Sequence, residues 1–427
     1  MLLKTFLNNV EIISIAPSGR SGSYFVQSIL DGHKNIVTIP FYVSMYSIYD
    51  NISKYMNKHE FYIDAIMRHV CQESLLKYYF GVPYDKNTNW WQGLLVTVDN
   101  EKKQIYMDVN QFKLNFKNVL NELYQLGEFN ERGFYYAINL AWALTKHQKI
   151  SDIKYIVDQT HNCKNFSLIY NISKTAKFIH TIRDPRASYY SFIEMNKSYN
   201  NENHHLPPID LATTYEYTFY SLNQVEKYRK SWLKKENYFL IRLEDLHDSY
   251  NRVVLSLAKW LDIDVQKSLF ESTMDGMSWE YQSYTHKKKI IGAEKSANRP
   301  KWKDNLKRSE IKKIEFLSSR FMAKYKYNKI FLKRKPCIFD ILITTFLCLF
   351  DKNESVFNLQ NIKNEVKIKL KLSCNSNLFY YQLLRKIKIK YVRFMILIIA
   401  TVCYNFILSL YGKLKLLNYI ISAKPYR

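Results

Sequence analysis

Apolar residues gather first between Ile12 and Ala16, in the run "EIISIA", and stop at Pro17. A short, β-branched run closed by proline predicts a buried strand over 11–16. The period then changes. Phe25, Val26, Ile29 and Leu30 recur at helical spacing, and Gly32 supplies a stop. The same strand–turn–helix order returns at Ala176–Ile182, where "RDPR" is the turn and "ASYYSFIEMN" the helix. A third apolar run, Tyr238–Leu246, precedes a helix with Val254, Leu257, Ala258 and Leu261 on one face. Repeated units of this kind predict an α/β fold, a central parallel sheet flanked by helices. Residues 41–150 are rich in Tyr and Phe and mostly helical in pattern. One hairpin is expected there, pairing Leu94–Val98 with Ile105–Val109. Residues 309–327 read as an amphipathic helix with Ser309 as its N-cap.

The pattern breaks at Leu332–Pro336, which divides the chain into residues 1–330 and a basic, apolar, helical C-terminal extension over 331–427. The net charge is +25 over 427 residues, with 47% hydrophobic and 24% charged residues. The extension carries 17 Lys/Arg against 4 Asp/Glu, about half the excess. Such a density favours an anionic partner, and a membrane surface is the expected one. Nucleic acid is not expected, because no helix-turn-helix, zinc-finger or RNA-binding signature is present. Residues 394–411 form an 18-residue uncharged run flanked by basic residues. It reaches the lower limit for a span and fits equally an interfacial or a buried helix. None of the six cysteines stands in a C-x-x-C pair, and no signal peptide is visible. A cytoplasmic or cytosol-facing, membrane-associated protein is expected.

The turn after the first strand, "PSGRSGS", carries the clearest chemistry. The backbone N–H groups from Ser18 through Gly19, Arg20, Ser21, Gly22 and Ser23, with the helix that follows, make an anion nest. It lacks the Gly-Lys-Ser/Thr ending of a nucleoside-triphosphatase loop, and its cation, Arg20, comes earlier. Arg183 stands at the carboxyl end of the second long strand, where open α/β sheets bind ligands. Ser191 follows it by two helical turns.

With these residues in place, the chain over about 10–327 resembles the sulfotransferases that use 3′-phosphoadenosine-5′-phosphosulfate (PAPS), whose fold is P-loop NTPase-like. "APSGRSGSYF" is similar to the family's 5′-phosphosulfate loop. "AKFIHTIRDPRASYYS" is similar to its 3′-phosphate motif. "YFLIRLEDL" and "GAEKSANRPKWKDNL" match later segments, the second being the loop that closes over the nucleotide. The resemblance implies PAPS as cofactor, no metal, Arg20 as the transition-state cation, and Arg183 with Ser191 as the 3′-phosphate grip. Arg299 is either a further 3′-phosphate contact or a solvated charge. Arg186 is expected in a structural salt bridge with Asp184 or a nearby Glu.

The catalytic base follows the same resemblance. No Glu or Asp stands between Asp31 and Asp50, just after the first helix, but His161 in "DQTHN" stands 22 residues before Arg183, as in the family's K-T-H pattern. A neutral imidazole suits removal of a hydroxyl proton. Asp158 and then His33 are the fallbacks. Gln159 replaces the family's Lys, and Tyr24 replaces a small hydroxyl residue and is expected to turn into the core. Trp90 and Trp91 are either core or a face for a sugar ring. His204 and His205 read as solvated. The implied acceptor is a hydroxyl of a carbohydrate or lipid. The departures at Gln159 and Tyr24 also suit a relative that binds nucleotide or glycan without catalysis.

Overall fold

The structure is a computed structural model that describes residues 2–40, 62–71, 95–98, 101–104, 108–160, 163–201, 221–222, 224–278, 280–283 and 288–331. The chain divides into two compact units, Met1–Arg183 with Tyr220–Arg299, and Asp184–Phe219 with Pro300–Arg427.

The first unit is built on five parallel strands: β1 (Glu11–Pro17), β2 (Ile36–Thr38), β3 (Tyr155–Gln159), β4 (Lys177–Ile182) and β5 (Tyr238–Arg242). Their order in the sheet is β2-β3-β1-β4-β5, so β1 is central. Alternation along β1 sends its residues into two cores. Ile12 and Ala16 join Ile156, Phe178 and the helices α1 (Leu2–Asn9), α3 (Val109–Gln125), α4 (Glu131–Thr145) and α5 (Phe166–Ile172). Ile13 and Ile15 join Val157, Ile179 and Ile241 beneath α2 (Ser23–Leu30) and α8 (Tyr250–Leu261). A parallel sheet buried on both faces explains why its strands read as continuous apolar runs. Phe25, Val26, Ile29 and Leu30 of α2 are all buried, as are Val254, Leu257, Ala258 and Leu261 of α8.

Three expectations about element boundaries are corrected. The hairpin pairs Leu95–Val98 with Glu101–Gln104, not with 105–109. Asp108 instead accepts a bond from the Gln111 amide and caps α3, so the apolar Val109 opens a helix. The run Tyr238–Leu246 is strand only to Arg242, and α7 (Leu243–Asp248) follows at once. Ser309 is not an N-cap. The helix is Arg308–Leu317, and Glu310 accepts from the Lys307 amide at 2.6 Å. A second helix, Ser319–Lys324, begins after Ser318. The N-terminal helix α1 was not expected, although Leu3, Phe6 and Leu7 share one buried face.

In the second unit, α6 (Pro185–Asn201) starts with proline at its first position, and the Asp184 carboxylate accepts from the Arg186 amide at 2.9 Å. The Arg186 side chain is buried. It pairs with Asp184 at 2.6 Å and Glu315 at 2.7 Å and lies 4.1 Å over the Trp302 ring. The expected structural salt bridge of Arg186 is therefore present. Glu315 also accepts the amides of Ile330 and Phe331. No helix among the described residues is long and apolar enough to cross a membrane. Residues 394–411, Trp90, Trp91, His204 and His205 lie outside the described residues.

Removing one partner of a buried ion pair leaves the other charge uncompensated. Glu315→Ala is therefore expected to cost about 3–5 kcal/mol of stability, read as a lower unfolding midpoint in urea.

Candidate functional site

The chain leaves β1 at Pro17 and turns through Ser18–Gly22 into α2. Gly19, Arg20 and Gly22 all have positive φ, at 63°, 44° and 83°. Arg20 is the unusual one, since a side chain there is strained and persists only where its surroundings hold it. At Gly22 an added Cβ would lie 2.6 Å from Leu243 Cδ1, so no larger residue fits without displacement. The first intrahelical bond of α2 runs from the Val26 amide to the Gly22 carbonyl, at 3.0 Å. The amides of Ser23, Tyr24 and Phe25 precede it and point out of the helix start, which carries partial positive charge.

Strand β4 holds this turn in shape. The Ser18 amide donates to the Thr181 carbonyl at 2.9 Å, and the Ser21 hydroxyl donates to the same oxygen at 2.8 Å. Ser21 Oγ also lies 2.9 Å from Thr181 Oγ1. Behind them runs a buried polar chain. Ser18 Oγ donates to Ser221 Oγ at 2.6 Å, so it must accept from His180 Nε2–H at 2.7 Å. The Tyr238 hydroxyl then donates to His180 Nδ1 at 2.8 Å. Burial lowers the His180 pKa to about 3, so the ring is neutral.

Arg20 and Arg183 are both half-buried, and Arg183 Nη1 donates to the Arg20 carbonyl at 3.4 Å. The structure thus brings two of the expected cations to one turn. Ser191 is buried on α6 in the second unit. Arg299 is exposed, just after a turn that Asn298 ties to the Glu244 carbonyl. Tyr24 is half-buried and packs against the α2-side core, as expected of it.

The three candidates for the base fall differently. His161 lies outside the described residues, but its neighbour Thr160 bonds through its amide to the Ile15 carbonyl, which keeps the end of β3 beside β1. His33 is buried, accepts from the Asn35 amide at Nδ1 and meets the Asp264 carbonyl at Nε2, and burial lowers its pKa. Asp158 accepts from Ser14 Oγ at 3.0 Å, and burial pushes its pKa up to about 7, against hydrogen bonds from Ser14 and Tyr135. The next residue, Gln159, leaves the opposite face of β3 and donates from Nε2 to Ser23 Oγ at 3.0 Å.

A cavity of about 990 Å³ opens in the same unit. Its lining includes His247, Tyr250, Arg252, Phe270, Thr273 and Lys295. Phe25, in the first turn of α2, stacks on His247 at 5.4 Å and on Tyr250 at 5.9 Å, which joins the cavity wall to the loop. Sequence reading missed this cavity, because its walls come from segments that look like ordinary helix and loop.

A family model described as the sulfotransferase family matches residues 13–267. The chain belongs to the sulfotransferase family. The matched region begins inside β1 and covers the loop, Arg183 and the cavity's first walls. This sulfotransferase also resembles solved structures. A sulfotransferase domain from the curacin biosynthetic pathway is 16% identical, with a TM-score of 0.40, covering 75% of this chain and 99% of that one. A sulfotransferase domain from the Synechococcus PCC 7002 olefin synthase is 14% identical, with a TM-score of 0.42, covering 75% and 96%. Retinol dehydratase in a complex with retinol and PAP is 13% identical, with a TM-score of 0.33, covering 75% and 85%. No curated protein matches the chain in sequence.

Asp158 gives a pH prediction. Its folded pKa lies above the unfolded value, so the folded state favours the protonated acid. Its contribution to stability is lost as pH rises from about 4 to about 7 and is constant above that, a change on the order of 4 kcal/mol. In urea unfolding at pH 5 and pH 8, Asp158→Asn is expected to flatten this slope. An unchanged slope would place the titrating group elsewhere.

Proposed function

We propose that this sulfotransferase moves a sulfuryl group from PAPS to a hydroxyl of a carbohydrate or lipid. The observation that carries the reading is the meeting of Arg20 and Arg183 at one strained turn at the carboxyl ends of β1 and β4. Convergent amides, a helix N-terminus and two guanidinium groups suit a ligand with two separate anionic groups. PAPS has such groups in its 5′-phosphosulfate and its 3′-phosphate. The donor set fits: the turn amides for the phosphosulfate, Arg183 for the 3′-phosphate, and the aromatic, basic cavity beside Phe25 for the nucleoside. Ser191 is a further 3′-phosphate contact, and Arg299 either another or a solvated charge, on the strength of the family resemblance alone.

In the proposed reaction the acceptor oxygen bonds to sulfur while the bond from sulfur to the bridging oxygen breaks. The electron pair stays on the departing phosphate, and the acceptor's proton passes to a base, for which His161 is proposed. Arg20 neutralises charge that grows on the bridging oxygen, so it stabilises the transition state more than the bound donor. No part of this needs a metal. The acceptor class rests on Trp90 and Trp91 as a sugar-stacking pair, and on the basic, apolar extension as a contact with a lipid surface.

Gln159 favours a second reading, in which the protein binds nucleotide or glycan without turnover, since a cation expected there is missing. One assay separates the two. The purified protein is expected to be thermally stabilised by 3′,5′-ADP and to release it from PAPS with a member of a glycan and alcohol panel. Arg20→Ala is expected to lower kcat by about 10²–10³. His161→Ala is expected to lower it by about 10²–10⁴. Binding without release on any acceptor supports the second reading. Stabilisation by Mg-ATP but not by 3′,5′-ADP overturns the PAPS reading.

A further inference from the structure

Several surface lysines of the first unit stand against carboxylates. Lys34 pairs with Asp264 at 2.7 Å, Lys149 with Asp152 at 3.0 Å and Lys267 with Glu271 at 2.8 Å. One surface of the unit departs from this. Residues 224–231 are helical, and 232–237 lead from that helix to the start of β5. The stretch buries Val225, Tyr228 and Leu233 and leaves Lys227, Arg229, Lys230, Lys234 and Lys235 exposed. None of the five forms an ion pair among the described residues. The acids of the stretch are Glu226 and Glu236, so it holds five cations against two. Lys174 and Lys177 extend the cluster. They lead into β4, whose Phe178 stands opposite Tyr238 of β5.

These cations lie at the amino ends of β4 and β5. Arg183 and the anion turn lie at the carboxyl ends, about 20 Å away along a strand of six residues. Aromatic rings are set among the cations. Lys174 Nζ stands 4.2 Å from the centre of the Tyr170 ring, Lys177 Nζ 5.5 Å from that of Trp260, and Arg229 Cζ 5.9 Å from that of Tyr238. Tyr170 stacks on Trp232 at 4.2 Å, and Trp232 lies 5.3 Å from Phe178, so rings and cations form one connected surface. Lysines without counter-charges repel one another, a cost that an anionic partner removes. Trp and Tyr beside lysine suit the boundary between lipid headgroups and acyl chains, where rings with one polar end settle. Single-stranded nucleic acid needs rings open to its bases, and here Tyr170 already covers Trp232. The same chain carries an extension over 331–427 with 17 Lys/Arg and an 18-residue uncharged run, a composition suited to a membrane surface. We propose that the amino end of the sheet is a docking surface for an anionic lipid bilayer. A unit docked this way holds its anion turn about a strand's length from the headgroups, open to a soluble ligand. Docking requires nothing of the sulfuryl-transfer reading.

The test uses the full chain and sedimentation with vesicles of phosphatidylcholine, with and without phosphatidylserine. Hydrogen exchange then reads which segments the vesicles cover. Binding is expected only with phosphatidylserine and is expected to weaken as salt rises. Exchange is expected to slow over 224–237 and to stay unchanged over 18–25. Lys234→Gln combined with Lys235→Gln is expected to lower the partition coefficient by about 10- to 30-fold, at about 5-fold for each cation. Lys149→Gln combined with Lys267→Gln removes the same charge from paired sites and is expected to change it by less than about 2-fold. If the two double variants lose the same, net charge drives binding and the proposal falls. If phosphatidylserine vesicles do not bind, or slow exchange only within 331–427, the patch is not a docking surface and the proposal falls. If poly-uridylate slows exchange over 224–237 and the vesicles do not, the partner is a nucleic acid and the proposal falls.

Discussion

The site depends on one carbonyl oxygen. Thr181 O accepts from the Ser18 amide and from the Ser21 hydroxyl, and so fixes the turn between β1 and α2. The bond is possible because β1 and β4 are parallel neighbours in which Pro17 stands opposite Thr181. The two strands end level, at the edge where open parallel sheets bind ligands. With the turn pinned, Arg20 can hold a backbone conformation that most side chains avoid, and its carbonyl is turned to meet Arg183. The cost of that strain is met by the sheet behind it, whose two faces are both closed by core.

Long strands and amphipathic helices were legible from periodicity. β1, β4, α2 and α8 lie where the apolar spacing predicted them, because both faces of a parallel sheet demand apolar side chains and each covering helix demands one stripe. β3 was less visible. Its last residues, Asp158 and Gln159, are polar yet buried, and their partners Ser14 and Ser23 are 144 and 136 residues away in sequence. No local pattern reveals a bond of that span. The hairpin and the helix after Lys307 were misjudged for the opposite reason. There a single capping carboxylate, Asp108 or Glu310, outweighed the apolar trend around it.

The candidate site divides in the same way. The anion turn, Arg20 and Arg183 could be named from a short motif, since glycines that free the backbone and arginines at strand ends leave a local mark in the chain. The cavity could not, because His247, Phe270 and Lys295 come together only through the return of the chain after β5. The Tyr238–His180–Ser18 chain was equally hidden. His180 reads as one polar residue in an apolar strand, and its partners come from the turn after β1 and from β5.

That chain has a consequence for how the protein answers its surroundings. The imidazole stays uncharged, and the remaining positive character of the turn comes from peptide groups and guanidinium ions, none of which releases a proton in ordinary solution. The positive character of the turn is therefore built from parts with fixed charge. The turn thus keeps its charge across the pH range in which the buried Asp158 carboxyl on β3 titrates, so acidity acts on the strand behind the turn and not on the turn itself.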